Sequence, residues 1–319
     1  MKIAFHANEI SLRGTGVAMF DYAHYNKKLL GNESIVLHWK GSTANHPLAY
    51  EKYEKHFEIF GYDDWSEVDG IIKAEQADFL YMIKGGEKDG KITDACKTGI
   101  HAVFQNYEPH GDVYAYVSEW LSQKMTSGKL PYVPHMINMP QPNADMRQRL
   151  NIPEHAVVLG RHGGKDQFDL PVAPVIERAA LNNRFLYFVF LNTDRFCMPL
   201  PNIIHLDPIY DLQEKSNFIG MCDAMIHARV MGESFGLAIA EFLYHDKPVI
   251  AWPGGGDQNH VKMLGEEGLW YNNPEELYQH LISAKHENHN GKYNARVEKY
   301  TPENVMNKFN QVFIEGVEE

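Results

Sequence analysis

Short apolar runs rich in β-forming residues alternate with helical patterns along most of this 319-residue chain. Parallel strands need long crossover connections, usually helices, so the alternation predicts an α/β fold built on parallel sheets. The predicted strands are residues 2–6, 34–39, 79–83, 101–105 and 113–117, then 156–159, 186–191, 203–206, 224–227 and 248–252. The two series predict two Rossmann-like βα domains.

A proline-rich stretch separates the two series. Residues 128–142 show no clear periodicity and contain four prolines: Pro131, Pro134, Pro140 and Pro142. Such a stretch is typical of a connection between domains. A domain averages roughly 150 residues, so the chain length also favours two domains. We therefore expect one domain over residues 1–140 and a second over residues 141–300.

The last segment, residues 301–319, reads as a terminal helix. Thr301 and Pro302 are typical of a helix N-cap and first helical position, and Glu303 adds an acidic first turn. The apolar residues that follow fall on one helical face: Val305, Phe309, Val312 and Phe313. We expect this helix to pack back on the N-terminal domain.

Composition excludes several classes of protein. With 30 basic and 42 acidic residues the net charge is −12, which argues against a nucleic-acid partner. Three widely spaced cysteines provide neither a disulfide framework nor a metal-binding pair. No apolar window approaches 18 residues, and the apolar stretch before Glu9 is too short for a signal peptide. We expect a cytoplasmic protein with no membrane span.

The segment from Asp223 to Glu241 is the most informative. A predicted strand leads into a loop with Gly232, and a helix is expected to begin near Phe235. Free N–H groups at a helix start bind anions. Glu233 and Glu241, eight residues apart, would repel phosphate but accept hydrogen bonds from hydroxyl groups. Together these features suit a nucleotide sugar, although two glutamates alone more often mark a solvated helix face.

The residues around the two glutamates carry a family resemblance. Ser234, Phe235 and Gly236 lie between them, and Lys-Pro-Val-Ile-Ala (247–251) follows the predicted helix. This combination resembles the family 4 retaining glycosyltransferases of GT-B fold, which have a Glu-x7-Glu motif followed by a Gly-x-Pro-Val-Ile-Ala strand. Asp246 departs from the family, which usually has a small residue there. The resemblance implies two Rossmann-like domains facing across a cleft, 1–140 for the acceptor and 141–300 for the nucleotide-sugar donor.

A basic pair follows the first strand of the second domain. Gly160 and Arg161 end the strand, and Lys165 comes four residues later. In the family such an arginine and lysine hold the donor diphosphate, the arginine with a planar fork of donors and the lysine as a point charge. The four-residue spacing is tighter than the family's, and the alternative is an exposed basic pair at a strand end.

The resemblance also assigns roles within the motif. It implies that Arg161 and Lys165 offset the charge on the leaving group. Glu233 would bind hydroxyls of the donor sugar, and Glu241 those of the ribose. The backbone N–H groups of four residues would bind sugar and phosphate: Ser234, Phe235, Gly236 and Leu237.

Two features of the N-terminal domain are further candidates. A loop from Arg13 through Gly14, Thr15 and Gly16 is predicted before the first helix, where enzymes of this fold place a glycine-rich loop against the donor. Residues 14–16 also resemble part of a dinucleotide fingerprint, but strand 34–39 ends without the acidic residue that NAD requires. The family usually has a catalytic histidine in this domain. His110 is the candidate, with a structural role as the alternative in a chain with 17 histidines.

The resemblance implies a retaining, metal-independent glycosyltransferase of hexosyl or deoxyhexosyl type, with no cofactor. Its donor would be a nucleotide-diphosphate sugar and its acceptor a saccharide, a glycan or another hydroxyl compound. The alternatives are a non-catalytic nucleotide-sugar-binding protein or subunit and, less favoured, a phosphorylase or epimerase. The sequence leaves the base, the sugar, the acceptor and the oligomeric state open.

The charge of residues 49–69 argues against docking on a membrane that carries a lipid-linked acceptor. They contain seven acidic residues against two lysines, so anionic lipid would repel them. We interpret this aromatic stretch as a helix packed on the first domain or as a wall facing the acceptor.

Overall fold

A computed structural model describes residues 1–11 and 14–317. The chain divides into two units, one formed by Met1–Met136 with the segment that begins at Tyr300, the other by Ile137–Lys299. Within the described ranges each unit has a six-stranded sheet whose strand pairs are parallel, which confirms the predicted α/β class. No helix in these ranges is long and apolar enough to cross a membrane.

The first unit has the strand order β3-β2-β1-β4-β5-β6. Its strands are β1 (Lys2–Ala7), β2 (Glu33–Trp39), β3 (Glu58–Tyr62), β4 (Phe79–Lys84), β5 (Lys97–Ala102) and β6 (Val113–Tyr116). Its helices are α1 (Gly14–Leu30), α2 (Pro47–Glu54), α3 (Val68–Glu75), α4 (Glu119–Thr126) and α11 (Pro302–Phe309). The central strands are buried along their length, as expected where helices cover both faces of a parallel sheet.

The second unit repeats this topology. Its strands are β7 (Val157–Arg161), β8 (Leu186–Leu191), β9 (Ile203–Leu206), β10 (Ala224–His227), β12 (Val249–Ala251) and β14 (Leu269–Trp270), in the order β14-β12-β10-β7-β8-β9. Its helices are α5 (Met146–Arg149), α6 (Ala173–Asn182), α7 (Leu212–Met221), α8 (Leu237–Tyr244), α9 (Asn259–Leu264) and α10 (Pro274–Ser283). A separate two-stranded sheet pairs β11 (Gly232–Glu233) with β13 (Asp257–Gln258).

The terminal segment packs on the first unit. Thr301 caps α11 by accepting a hydrogen bond from the backbone N–H of Asn304. The ring of Phe309 lies 5.4 Å from that of Tyr22 and 6.4 Å from that of Phe5. Aromatic contacts therefore attach the end of the chain to α1 and β1.

The structure corrects the prediction of a loop at Gly14, Thr15 and Gly16. These residues form the first turn of α1, while Arg13, also assigned to that loop, lies outside the described residues. Glycine costs only about 1 kcal/mol relative to alanine in a helix, and burial of later side chains of α1, such as Met19 and Phe20, offsets this cost. Gly16 also lies close to the preceding chain, since a Cβ on it would come within 2.3 Å of the Ser11 carbonyl oxygen.

Two further predictions in the first unit are wrong. The strand predicted at 101–105 is β5, which begins at Lys97 and ends at Ala102, because the chain turns away where Phe104 becomes half exposed. Residues 49–69, interpreted as a helix or as a wall facing the acceptor, do not form one helix, since α2 ends at Glu54 and α3 begins only at Val68, and the wall stays a prediction. Residues 58–62 form β3, which pairs in parallel with β2 because their β-forming side chains suit the sheet better than a helix.

Gly232 sets the geometry of the loop that carries Glu233. Its φ is +75°, and a Cβ would lie 1.9 Å from the carbonyl oxygen of Asp257 on β13. We expect Gly232→Ala to lower the free energy of unfolding by more than about 2 kcal/mol, through backbone strain and the clash. Gly31→Ala is the control, since Gly31 has a φ of +69° with nothing within 4 Å of its Cβ. Equal losses in urea denaturation would contradict this account.

Candidate functional site

The candidate site lies at the carboxyl edge of the second unit's sheet. β7 ends at Arg161 and its neighbour β10 ends at His227. From β7 the sheet continues through β8 and β9, and from β10 through β12 and β14, so the strand order reverses between β7 and β10. In open α/β sheets, ligands bind outside the strand ends at such a switch point. Several residues chosen from the sequence follow these strand ends.

Arg161 is a buried, fixed cation. One of its terminal nitrogens donates to the carbonyl of Asn192, at 3.2 Å, and to the hydroxyl of Thr193, at 2.6 Å. The other donates to the carbonyl of Gly164, at 2.7 Å. Burial lowers the pKa of Arg161 to about 10, against the opposing charge of Glu233, so the side chain stays protonated at neutral pH. The neighbouring loops therefore hold its guanidinium in one orientation.

Lys165 has a different environment. Its side chain is 71% exposed, and its Nζ lies 3.1 Å from a carboxylate oxygen of Asp194, which is also exposed. An ion pair of this kind contributes little stability. Lys165 therefore lies in the exposed setting that the alternative interpretation describes and is not part of the buried cluster around Arg161.

Glu233 is held between two basic side chains. Its Oε1 lies 3.2 Å from Nε2 of His227, and its Oε2 accepts a hydrogen bond from Arg229 at 2.8 Å. Burial raises the pKa of Glu233, but the hydrogen bond from His227 and the charges of His227 and Arg229 outweigh it, so the pKa lies below its usual value. Glu233 is therefore an ionised carboxylate at the strand ends.

Glu241 lies on α8 and is buried and paired at both oxygens. Nζ of Lys215, on α7, lies 2.5 Å from Oε1, and Nε2 of His162 lies 3.0 Å from Oε2. The ring of His162 stacks on Phe242 at 5.6 Å. Burial raises the pKa of Glu241, but the charges and hydrogen bonds of Lys215 and His162 outweigh burial and lower the pKa to about 2. The carboxylate therefore stays charged throughout the neutral range.

The chain enters α8 through a left-handed glycine. Gly236 has a φ of +97° and occupies the N-cap, where it has no side chain to bond the first helical N–H groups. The side-chain amide of Asn259 donates to the carbonyl of Phe235 at 2.7 Å and fixes the preceding loop. The backbone N–H groups from Leu237 onward point out of the helix start, where an anion or hydroxyl could accept them.

His110 lies in the first unit, in a cluster of charged groups. Its Nδ1 is 2.7 Å from the carbonyl of Glu108, so Nδ1 carries the proton and Nε2 the lone pair. Nε2 lies 3.2 Å from Nζ of Lys84, the last residue of β4, and Lys84 also pairs with Asp89. The lone pair of His110 therefore faces an ammonium group, and its catalytic role stays a prediction.

The architecture matches solved glycosyltransferases over the whole chain. A glycosyltransferase from Rickettsia africae ESF-5 aligns with a TM-score of 0.65 and 15% identity, covering 99% of this chain and 97% of that one. AviGT4, involved in avilamycin A biosynthesis, gives 0.67 and 11%, covering 100% and 98%. Anabaena Alr3699/HepE in complex with UDP-glucose gives 0.67 and 13%, covering 98% and 95%. The chain has the GT-B fold.

At identities this low, structural likeness establishes the fold alone. No model of a known protein family matches the chain, and no curated protein matches it. The assignment to family 4 of the GT-B enzymes therefore rests on the motif residues of the sequence.

The structure adds basic residues that motif reasoning missed. Lys215 lies 26 positions before its partner Glu241, on a helix without a motif, so no local signal could identify it. His227 could have been found, because it ends a predicted strand at the edge where ligands bind. Arg229 stands four residues before Glu233, a spacing that is common by chance.

Proposed function

We propose that this chain is a glycosyltransferase that uses a nucleotide-diphosphate sugar as donor and binds it at the carboxyl edge of the second unit's sheet. The observation that carries the proposal is the combination of a fixed cation, Arg161, with two ionised carboxylates, Glu233 and Glu241, at a switch point of the sheet. Alr3699/HepE, a solved structure of the same fold, was determined with UDP-glucose bound.

The charges suggest which part of the donor each of these residues binds. Arg161 and the N–H groups at the start of α8 would take the diphosphate. The two carboxylates repel phosphate, so they serve hydroxyl groups: Glu233 those of the transferred sugar and Glu241 those of the ribose. Lys165 can leave its exposed partner Asp194 at little cost and turn towards a phosphate.

We further propose transfer with retention and without a metal ion. Positive charge from Arg161 and the helix start would offset the charge that develops on the leaving diphosphate. The acceptor oxygen would bond the anomeric carbon on the face from which the diphosphate oxygen leaves, and the leaving phosphate would take the hydroxyl proton. Because this attack is direct, the reaction would need no protein nucleophile. The family resemblance supports this mechanism, together with a hexosyl or deoxyhexosyl donor and a saccharide or glycan acceptor.

One observation favours a second candidate, a nucleotide-sugar-binding protein without catalysis. The lone pair of His110, the candidate catalytic histidine, faces the ammonium group of Lys84. In this geometry Nε2 already has Lys84 as its hydrogen-bond partner and is not directed at an acceptor hydroxyl.

A ligand screen tests the proposed function. We expect one of UDP, GDP and ADP, or a sugar derivative of one of them, to raise the midpoint of thermal unfolding, since a ligand at 100 times its Kd stabilises by about 2.7 kcal/mol. Release of the nucleoside diphosphate is then measured with a panel of saccharide acceptors. Binding without release across the panel would favour the non-catalytic candidate, and binding of none of these ligands would contradict both.

A further inference from the structure

Glu241 has room for more hydrogen bonds than its protein partners supply. An ionised carboxylate offers about four lone-pair sites. Lys215 occupies one at Oε1 and His162 approaches one at Oε2, so each oxygen can accept another hydrogen. Two vicinal hydroxyl groups, such as those of a ribose, can donate one hydrogen to each oxygen.

Lys215 and His162 also keep the Glu241 carboxylate ionised. A glutamate that is 5% exposed and has no cation beside it has a pKa above its usual value, because burial penalises the charged form and favours the protonated one. A protonated carboxyl group has a donor at one oxygen and accepts hydroxyls less strongly. Lys215 therefore provides the charge that makes Glu241 a strong acceptor, and the pair fixes the direction of its oxygens.

A second buried ion pair in the same unit shows what a structural pair looks like. Arg147 and Asp223 are joined at 2.8 Å near the amino ends of β7 and β10, opposite the candidate site. The Asp223 carboxylate also accepts the backbone N–H of Val158 at 2.7 Å, and Arg147 donates to the carbonyl of Ala156. Asp223 also has His286 beside its other oxygen, at 2.6 Å, but the Arg147–Asp223 pair in addition binds the backbone of its surroundings, whereas the contacts of the Glu241 carboxylate are the side chains of Lys215 and His162.

We propose that Lys215, together with His162, is a positioning residue that holds Glu241 as a reader of the ribose diol, so that nucleotide binding depends on the 2′-hydroxyl group. This inference rests on the proposed function, because it concerns the same donor site. Its substrate class is a ribonucleoside diphosphate in preference to its 2′-deoxy form.

The test compares ribo- and 2′-deoxyribonucleotides by calorimetric titration. UDP, GDP and ADP are each titrated beside the 2′-deoxy form into the wild-type chain and into Lys215→Met, Lys215→Arg and Arg147→Met. A hydrogen bond to a charged group implies that the wild type prefers the ribonucleotide roughly tenfold or more. We expect the preference to fall towards one in Lys215→Met and to persist in Lys215→Arg. Arg147→Met should lower the midpoint of thermal unfolding and keep the preference.

The outcomes separate the inference from the proposed function. If the wild type binds a nucleotide and Lys215→Met shows the same preference for the ribonucleotide over its 2′-deoxy form, the inference is overturned and the proposed function is not. A wild type that binds none of the three nucleotides overturns the proposed function and the inference with it. Should Lys215→Met fail to fold, Lys215→Gln keeps a donor without the charge, and an undiminished preference in that variant overturns the inference equally.

Discussion

Arg161→Ala is expected to reduce sugar transfer by about 100-fold or more, because the variant loses a preorganised positive charge that would stabilise the leaving diphosphate. It should also lower the free energy of unfolding. The carbonyls of Asn192 and Gly164 and the hydroxyl of Thr193 are half-buried and all lose a donor, and each lost hydrogen bond costs about 0.5–1.5 kcal/mol. The measurements are the rate of nucleoside diphosphate release under saturating acceptor and thermal unfolding of the same samples.

Arg161→Lys separates the two effects. Lysine keeps the charge but lacks the planar fork that reaches several acceptors at once. We expect a smaller loss of transfer than in Arg161→Ala, with a comparable loss of stability. Wild-type transfer by folded Arg161→Ala would remove Arg161 from the donor site.

Glu233→Gln is expected to abolish most transfer while leaving the affinity for the free nucleoside diphosphate nearly unchanged. The substitution keeps the size of the side chain but removes the charge that His227 and Arg229 surround. If Glu233 binds hydroxyls of the transferred sugar, the sugar loses its orientation and the nucleotide keeps its contacts. We expect a fall of about 100-fold in the turnover rate, measured beside calorimetric titration of the nucleoside diphosphate.

The matched variant is Glu241→Gln, which makes the same chemical change eight residues later in the chain. Since we propose that Glu241 binds the ribose, Glu241→Gln should weaken binding of the free nucleoside diphosphate as much as binding of the intact donor. If both variants changed turnover and nucleoside diphosphate affinity to the same degree, the proposal that one carboxylate binds the sugar and the other the ribose would be wrong.

Much of the fold could be predicted because the buried parallel strands have a strong sequence pattern. Residues 186–191 and 224–227 were predicted with the observed bounds, since both are short apolar runs between polar segments. The edge strand β3 was missed, because the charged helix before it and the acidic residues after it obscure five residues of β pattern. Edge strands pack on fewer neighbours, and their sequences are correspondingly less constrained.

In the candidate site, too, some residues could be predicted from the sequence and others could not. Glu233, Glu241 and Arg161 could be predicted because they belong to motifs with fixed residue types at short spacings, and the structure places all three in the second unit, buried or half-buried and charged. Lys215 could not be chosen, because it approaches Glu241 only through the packing of α7 beside α8. Lys165 lies at a suitable spacing but is 71% exposed beside Asp194, so its part in diphosphate binding stays a prediction.

The central claim is that a nucleotide-diphosphate sugar binds at the carboxyl ends of β7 and β10. Calorimetric titration of the wild-type chain with UDP-, GDP- and ADP-sugars, repeated on folded Arg161→Lys and Glu241→Gln, tests it most directly. We predict that one donor binds the wild type with one-to-one stoichiometry and that both variants bind it at least tenfold more weakly, a loss of about 1.4 kcal/mol. A donor that bound the wild type and both variants equally, or no binding of any donor, would contradict the claim.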